Sequence, residues 1–174
     1  MATAGTLVLG LGNDLVADDG FGPAVARECR RALGGREGVA VEEASAAGLR
    51  LLDLLVGYRR ALILDVVQTA RVPPGTLLEW PLGGGDRART LGGSHQCDPL
   101  TALALGRALG FELPDEVRLV VAEAEDLETI RESMSPAVAA AARRALALVG
   151  EWIDRRGPFS PAAGRDHEQA RILS

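Results

Sequence analysis

The chain contains no lysine, and its 19 basic residues are all arginine. Catalysis through a lysine amine is therefore excluded. There are only two cysteines, Cys29 and Cys97, which cannot form a disulfide framework. There are also only two histidines, His95 and His167.

Long apolar runs and excess positive charge are also missing. Asp14 and Asp65 interrupt the most apolar stretches, so no run has the length of a membrane span. No basic segment precedes an apolar run near the amino terminus, as a secretory signal requires. The net charge is −5 and the pI is near 5.1, which argues against a nucleic-acid partner. These features predict a cytoplasmic protein that binds neither membranes nor nucleic acid.

Strand and helix patterns alternate along the 174 residues, which is typical of an α/β fold. The patterns predict strands at 6–11, 39–43, 61–67, 76–80 and 117–122, and helices at 20–33, 49–56, 98–110 and 135–157. The link after the third strand is too short for a crossover helix, so the fourth strand should run antiparallel. We therefore expect a three-layer α/β/α sandwich with a five-stranded, mostly parallel mixed sheet and one antiparallel strand.

The domain boundary is predicted near Pro158. Residues 1–158 contain all the periodic segments and should form a single domain. Residues 159–174 are polar and lack a repeating apolar pattern. This composition predicts a disordered carboxyl-terminal tail.

The most informative segment is the loop after the first strand, residues 10–22. It contains Asp14, Asp18 and Asp19 within six residues, together with four glycines. Three carboxylates this close repel one another, and a divalent cation would relieve the repulsion. One of Asp18 and Asp19 is expected to cap the next helix while the other faces a pocket, and we favour Asp18 as the cap. The glycine spacing is not a dinucleotide fingerprint, because Leu15 occupies the third glycine position.

Three separate segments should converge at the carboxyl edge of the sheet, where ligands bind in such folds. They carry Asp19, Asp65 near the end of the third strand, and His95 in the glycine-rich loop before a helix. Two carboxylates and an imidazole suit a late divalent ion such as Ni²⁺ or Zn²⁺. Alternatives remain open, since Asp65 could cap a loop and His95 could brace one. Cys97 could be a ligand, a nucleophile or a small buried side chain.

The pattern G-x-G-N-x-L-x-x-D-D-G-x-G at residues 10–22 resembles the [NiFe]-hydrogenase maturation endopeptidases. The resemblance extends over Asp65, the Ser94-His95 pair, the strand around Val120 and the Ser135-Pro136 helix start, and covers about residues 6–153. It implies a three-layer α/β sandwich. It also implies an enzyme that trims a carboxyl-terminal extension from the hydrogenase large-subunit precursor after nickel insertion.

The same resemblance implies that Asp19, Asp65 and His95 form both the metal site and the catalytic site. Nickel would be supplied by the precursor, and Zn or Cd could occupy the same position. The first ligand of the family is often glutamate, so Asp19 is a shorter variant. Asp65 is our candidate for the group that takes a proton from water. We expect the precursor as the partner, and a monomer or weak oligomer.

Two other functions fit parts of the sequence. A nickel-binding escort of hydrogenase assembly would use the same ligands without cleaving the precursor. Residues Gly10 to Asn13 also resemble the opening of peptidyl-tRNA hydrolases. The Pro-Gly pair and the Thr-Arg-His-Asn run that follow this opening in that family do not follow it here, and the net charge of the chain is acidic.

Overall fold

A computed structural model describes residues 5–33, 35–45, 50–82, 99–155 and 171–173. Within these ranges the strands are β1 (Thr6–Leu11), β2 (Val39–Ala44), β3 (Arg60–Val67), β4 (Leu77–Leu82), β5 (Glu116–Glu123) and β6 (Arg171–Leu173). The α-helices are α1 (Phe21–Ala32), α2 (Arg50–Leu55), α3 (Pro99–Ala108) and α4 (Pro136–Asp154). A 3₁₀ turn, Ala17–Gly20, precedes α1.

The strands form one mixed sheet in the order β2-β1-β3-β5-β4-β6. Strands β2, β1, β3 and β5 are mutually parallel, whereas β4 is antiparallel to β5 and to β6. The mostly parallel α/β fold predicted from the sequence is therefore confirmed. The direction of β4 follows from the short link between Val67 and Leu77, which leaves no room for a crossover helix.

The sheet has a sixth strand, which the sequence did not predict. Arg171–Leu173 pairs with Leu77, Leu78 and Glu79 of β4. The expected disorder of residues 159–174 is therefore wrong for these three residues, and the remainder of that segment lies outside the described residues. The outer edge of β4 offers backbone hydrogen-bonding groups, and a short segment with isoleucine and leucine can pair with it. Leu173 also packs against the core. The single domain at residues 1–158 stays a prediction.

Helices cover both faces of the sheet. On β3, the side chains of Leu62, Leu64 and Val66 belong to the apolar layer that α1 and α4 complete. Ala61, Ile63 and Val67 belong to the opposite layer, which α2 and α3 complete. This alternation gives the three-layer sandwich that we expected.

The helix starts follow local sequence signals. Ser135 is the N-cap of α4, and its Oγ accepts a hydrogen bond from the Val138 N–H at 3.4 Å. Helix α3 begins at Pro99, one residue after the predicted start at Asp98, which lies outside the described residues. Cys29 on α1 is buried in the core, and burial raises the pKa of its thiol to about 11. Among the helices in the described ranges, none is long and apolar enough to cross a membrane.

Candidate active site at the carboxyl edge of the sheet

Asp65 lies beside the point where β1 ends. Strand β3 pairs Leu64 with Gly10 of β1, so Asp65 is level with Leu11, the last residue of that strand. Strand β3 continues to Val67, two residues beyond Asp65. The Asp65 side chain is 8% exposed, and its Oδ1 accepts a hydrogen bond from the Val66 N–H at 2.8 Å. The sequence therefore puts a buried carboxylate at the carboxyl edge of a central strand.

Glycines bring the start of α1 onto this edge. A Cβ added to Gly22 would lie 2.2 Å from the Leu11 carbonyl oxygen and 2.5 Å from the Leu64 carbonyl oxygen. The first turn of α1 therefore touches the backbone of both β1 and β3. Gly12 has φ +141°, and a Cβ there would lie 1.9 Å from the Asp19 carbonyl oxygen. The glycine pattern serves close helix–strand packing, which only glycine permits.

The same packing brings Asp19 to the edge that carries Asp65. Asp19 belongs to the 3₁₀ turn, which contacts β3, and its side chain is 6% exposed. The Asn13 N–H donates to the Asp19 carbonyl oxygen at 3.2 Å and so holds the turn against the end of β1. Two of the three predicted site residues, Asp19 and Asp65, are thus carried to one edge by adjacent elements.

Asp18 has a different role from the helix cap that we expected. The N-cap positions of the 3₁₀ turn and of α1 are Val16 and Gly20, whose side chains cannot accept a capping bond. The Asp18 carboxylate is fully buried and accepts four hydrogen bonds from the β5–α4 connection. The donors are the N–H groups of Glu125 (2.8 Å), Asp126 (3.0 Å) and Ser135 (2.6 Å) and the Ser135 hydroxyl (3.1 Å). Asp18 therefore links the loop after β1 to the connection between β5 and α4.

Asp14 is paired with a cation of the protein itself. The Arg27 guanidinium donates to both Asp14 oxygens at 2.6 and 2.9 Å and reaches Glu43 on β2 at 2.8 Å. The hydrogen bond from Arg27 lowers the pKa of Asp14. Arg27 and four donors thus stabilise two of the three loop carboxylates.

Glu123 is a buried carboxylate that the sequence analysis missed. It lies at the end of β5 opposite Val67 and is 1% exposed. Its Oε1 accepts the N–H groups of Thr69 and Ala70, each at 2.7 Å, and its Oε2 accepts the Thr69 hydroxyl at 2.8 Å. Ala70 has φ +55°, so the carboxylate holds a turn with an unfavourable backbone conformation. The sequence signal that could have identified Glu123 is a charged residue at the end of an apolar strand.

The third predicted ligand, His95, lies outside the described residues, as do Ser94 and Cys97. Within the described ranges, no group of three or more histidine, cysteine or acidic side chains is arranged to hold a metal ion. Helix α3 begins four residues after His95. Its Leu103 packs in the same apolar layer as Ile63, on the face of β3 that Asp65 shares. The metal and catalytic roles of Asp19, Asp65 and His95 stay predictions.

Comparison with known proteins identifies the family to which this chain belongs. The family model HycI, hydrogenase maturation protease, matches residues 23–152. The chain belongs to the hydrogenase maturation protease family. Members of this family are peptidases, so the protein is a hydrolase of that class.

Individual proteins and solved structures are also similar to this chain. The hydrogenase expression/formation protein HoxM of Azotobacter vinelandii is 29% identical over 177 residues, covering 99% of this chain and 82% of HoxM. The crystal structure of the hydrogenase 2 maturation peptidase from a Thaumarchaeota archaeon is 26% identical with a TM-score of 0.63, covering 86% of this chain and 98% of that one. The hydrogenase maturating endopeptidase HybD from E. coli is 25% identical with a TM-score of 0.61, covering 83% and 89%.

Proposed function

We propose that this protease removes a carboxyl-terminal extension from the precursor of a [NiFe]-hydrogenase large subunit after nickel insertion. Membership of the maturation protease family supports the substrate class. The observation that carries the proposal is the placement of two buried carboxylates, Asp19 and Asp65, at one edge of the sheet. Buried acidic groups on neighbouring elements favour a cation between them.

Asp19, Asp65 and His95 recognise the nickel that the precursor carries. Two carboxylate oxygens and an imidazole are a suitable donor set for Ni²⁺, and also for Zn²⁺ or Cd²⁺ as substitutes. The sequence puts His95 four residues before α3, which starts on the face of the sheet that Asp65 shares. When the precursor binds through its nickel ion, its scissile segment is positioned at the carboxyl edge of the sheet. Such positioning is the main requirement for cleaving one bond selectively.

The remaining roles follow from the surroundings of each carboxylate. A nickel ion bound at this edge would polarise a water molecule or the scissile carbonyl. Asp65 is the group that accepts the proton of the attacking water. Asp18, through its four hydrogen bonds, keeps the turn that carries Asp19 in place. We further propose that the reaction takes place in the cytoplasm.

Mass spectrometry of a nickel-loaded precursor incubated with the protein tests this function. The wild-type protein should yield a shorter product, and nickel-free precursor should stay intact. Asp19→Asn, Asp65→Asn and His95→Ala should each slow cleavage on the order of a hundredfold, because one lost ligand misplaces the ion. Asp115→Asn is the matched control, since Asp115 is exposed at the start of β5, at the opposite edge.

Three outcomes contradict the proposal. Rapid cleavage of nickel-free precursor would show that the protease does not recognise its substrate through nickel. Full activity of the His95→Ala variant would show that His95 is not a required nickel ligand. Binding of the loaded precursor without any shortening would instead indicate a nickel-binding escort.

A further inference from the structure

Asp65 lies on a part of β3 that pairs with only one neighbouring strand among those the structure describes. Strand β1 pairs with β3 as far as Leu64, whereas β5 pairs with it as far as Val67. The register partner of Asp65 on β5 is Val121. Because the ladder to β1 ends before Asp65, the position of this residue depends on β5 and on the turn that follows β3.

Glu123 of β5 lies on the same face of the sheet as Asp65. It is the register partner of Val67, and residues two apart on a strand, such as Asp65 and Val67, share one face. One strand across and two residues along put the Cα atoms of Asp65 and Glu123 about 8 Å apart. Val67 and Val121 on this face belong to the apolar layer of α2 and α3. The Glu123 carboxylate is therefore buried beside the candidate site without belonging to the proposed ligand set.

The Glu123 side chain binds the turn that directly follows β3, residues 68–71. Its donors are the N–H groups of Thr69 and Ala70, each at 2.7 Å, and the Thr69 hydroxyl at 2.8 Å. Ala70 has φ +55°, a conformation that alanine adopts at a cost unless its surroundings hold it. The Gln68 side chain adds a hydrogen bond to the Glu125 carbonyl at 3.1 Å. Three of the four printed contacts that join this turn to β5 and the residue after it thus come from one carboxylate.

The backbone of Glu123 is fixed from the side of β4. Its N–H donates to the Thr76 carbonyl at 2.9 Å, and its carbonyl accepts the Gly75 N–H at 2.8 Å. The side chain therefore reaches the turn after β3 from a backbone that is bound in place. Because Glu123 is only 1% exposed, water competes little for its hydrogen bonds.

We propose that Glu123 is a positioning residue for Asp65. Its carboxylate fixes the turn after β3, and this turn holds the end of β3 in the geometry that cleavage requires. The Val66 N–H donates to Asp65 Oδ1 at 2.8 Å, so a shift of this backbone moves the Asp65 carboxylate with it. Glu123 acts through the geometry of its hydrogen bonds and not through its charge. This inference rests on the proposed function, because it names a residue that supports the same site.

Two substitutions of Glu123 separate geometry from charge. Glutamine can keep all three contacts, because its carbonyl oxygen accepts both N–H groups and its –NH₂ donates to the Thr69 hydroxyl oxygen. Glu123→Gln should therefore cleave nickel-loaded precursor with nearly the wild-type kcat/KM. Glu123→Ala loses all three hydrogen bonds, and its kcat/KM should fall at least about tenfold, since small displacements of a reacting group are costly.

A second substitution in the turn tests whether Glu123 acts through it. Glycine adopts a positive φ without the cost that alanine has, so a turn with glycine at position 70 needs less support. The double variant Glu123→Ala/Ala70→Gly should recover part of the kcat/KM that Glu123→Ala loses. Val149→Ala is the matched stability control, because Val149 is 1% exposed on α4, on the other face of the sheet. It should lower the melting temperature and keep the kcat/KM of the folded protein.

Amide hydrogen exchange followed by NMR provides a readout that needs no substrate. In Glu123→Ala the N–H groups of Val66, Thr69 and Ala70 should exchange faster than in the wild type and faster than in Val149→Ala. In Glu123→Gln they should exchange as in the wild type. If Glu123→Ala does not fold, Thr69→Val removes the hydroxyl contact alone and should change kcat/KM and exchange in the same direction by a smaller amount.

Three results overturn the inference. They are wild-type exchange at Val66 in Glu123→Ala, an equal loss of kcat/KM in Glu123→Gln and Glu123→Ala, and a loss in Val149→Ala as large as that in Glu123→Ala. If exchange rises as expected but the wild type cleaves no loaded precursor, the positioning of Asp65 by Glu123 stands and the proposed reaction fails.

Discussion

Asp18 and Ser135 are joined by two hydrogen bonds between the loop after β1 and the start of α4. The Ser135 N–H donates to Asp18 Oδ1 at 2.6 Å, and the Ser135 hydroxyl donates to Oδ2 at 3.1 Å. Ser135 also caps α4 through the Val138 N–H. One buried carboxylate thus connects the turn that carries Asp19 to the first turn of the last helix.

Asp18→Asn should lower the free energy of unfolding by about 3 kcal/mol, because the amide –NH₂ would face buried donors that the carboxylate satisfies. Urea denaturation followed by circular dichroism measures the change. Asp14→Asn is the control, since the Asp14 side chain is 46% exposed in its ion pair with Arg27, and it should cost less than about 1 kcal/mol. Equal midpoints for Asp18→Asn and the wild type would contradict the structural role of Asp18.

Gly22→Ala should destabilise the protein by about 3 kcal/mol or more, because the new methyl group would overlap two strand carbonyl oxygens. Gly150→Ala provides the comparison within α4, where an added Cβ meets nothing within 4 Å. That substitution should raise stability by about 0.5–1 kcal/mol through the higher helix propensity of alanine. Thermal denaturation of both variants gives the test, and similar melting temperatures would argue against the close packing of α1.

Asp126 should make the stability depend on pH in the acidic range. Hydrogen bonds from the Thr129 N–H and side chain and from the Glu128 N–H lower the pKa of Asp126 to about 2. Because the folded pKa lies below the unfolded value of about 3.9, the contribution is complete above about pH 5 and is lost progressively as the pH falls toward 2. The stability difference between the wild type and Asp126→Asn should shrink over that window. A difference that is constant down to pH 2 would show that the carboxylate does not titrate with folding.

Most of the sheet could be predicted because its signals are local. The apolar run of β3 and the capped start of α4 are encoded by neighbouring residues, and the short link after Val67 is enough to reverse β4. Strand β6 could not be predicted. Its three residues carry a weak pattern, and their partner is the edge of β4, which exists only after the sheet has formed.

The candidate site also combines features that local sequence predicts with features that depend on tertiary packing. The sequence by itself determined the acidic loop, the carboxylate near the end of β3 and the glycines that allow α1 to pack closely. Only the tertiary structure showed that Asp18 links two distant segments and does not cap the next helix. The donors that occupy Asp18 lie 107 to 117 residues away along the chain, so no local pattern records them. Asp14 depends in the same way on Arg27 of α1. A carboxylate's function follows from the groups that surround it, and those groups come together only when distant segments pack.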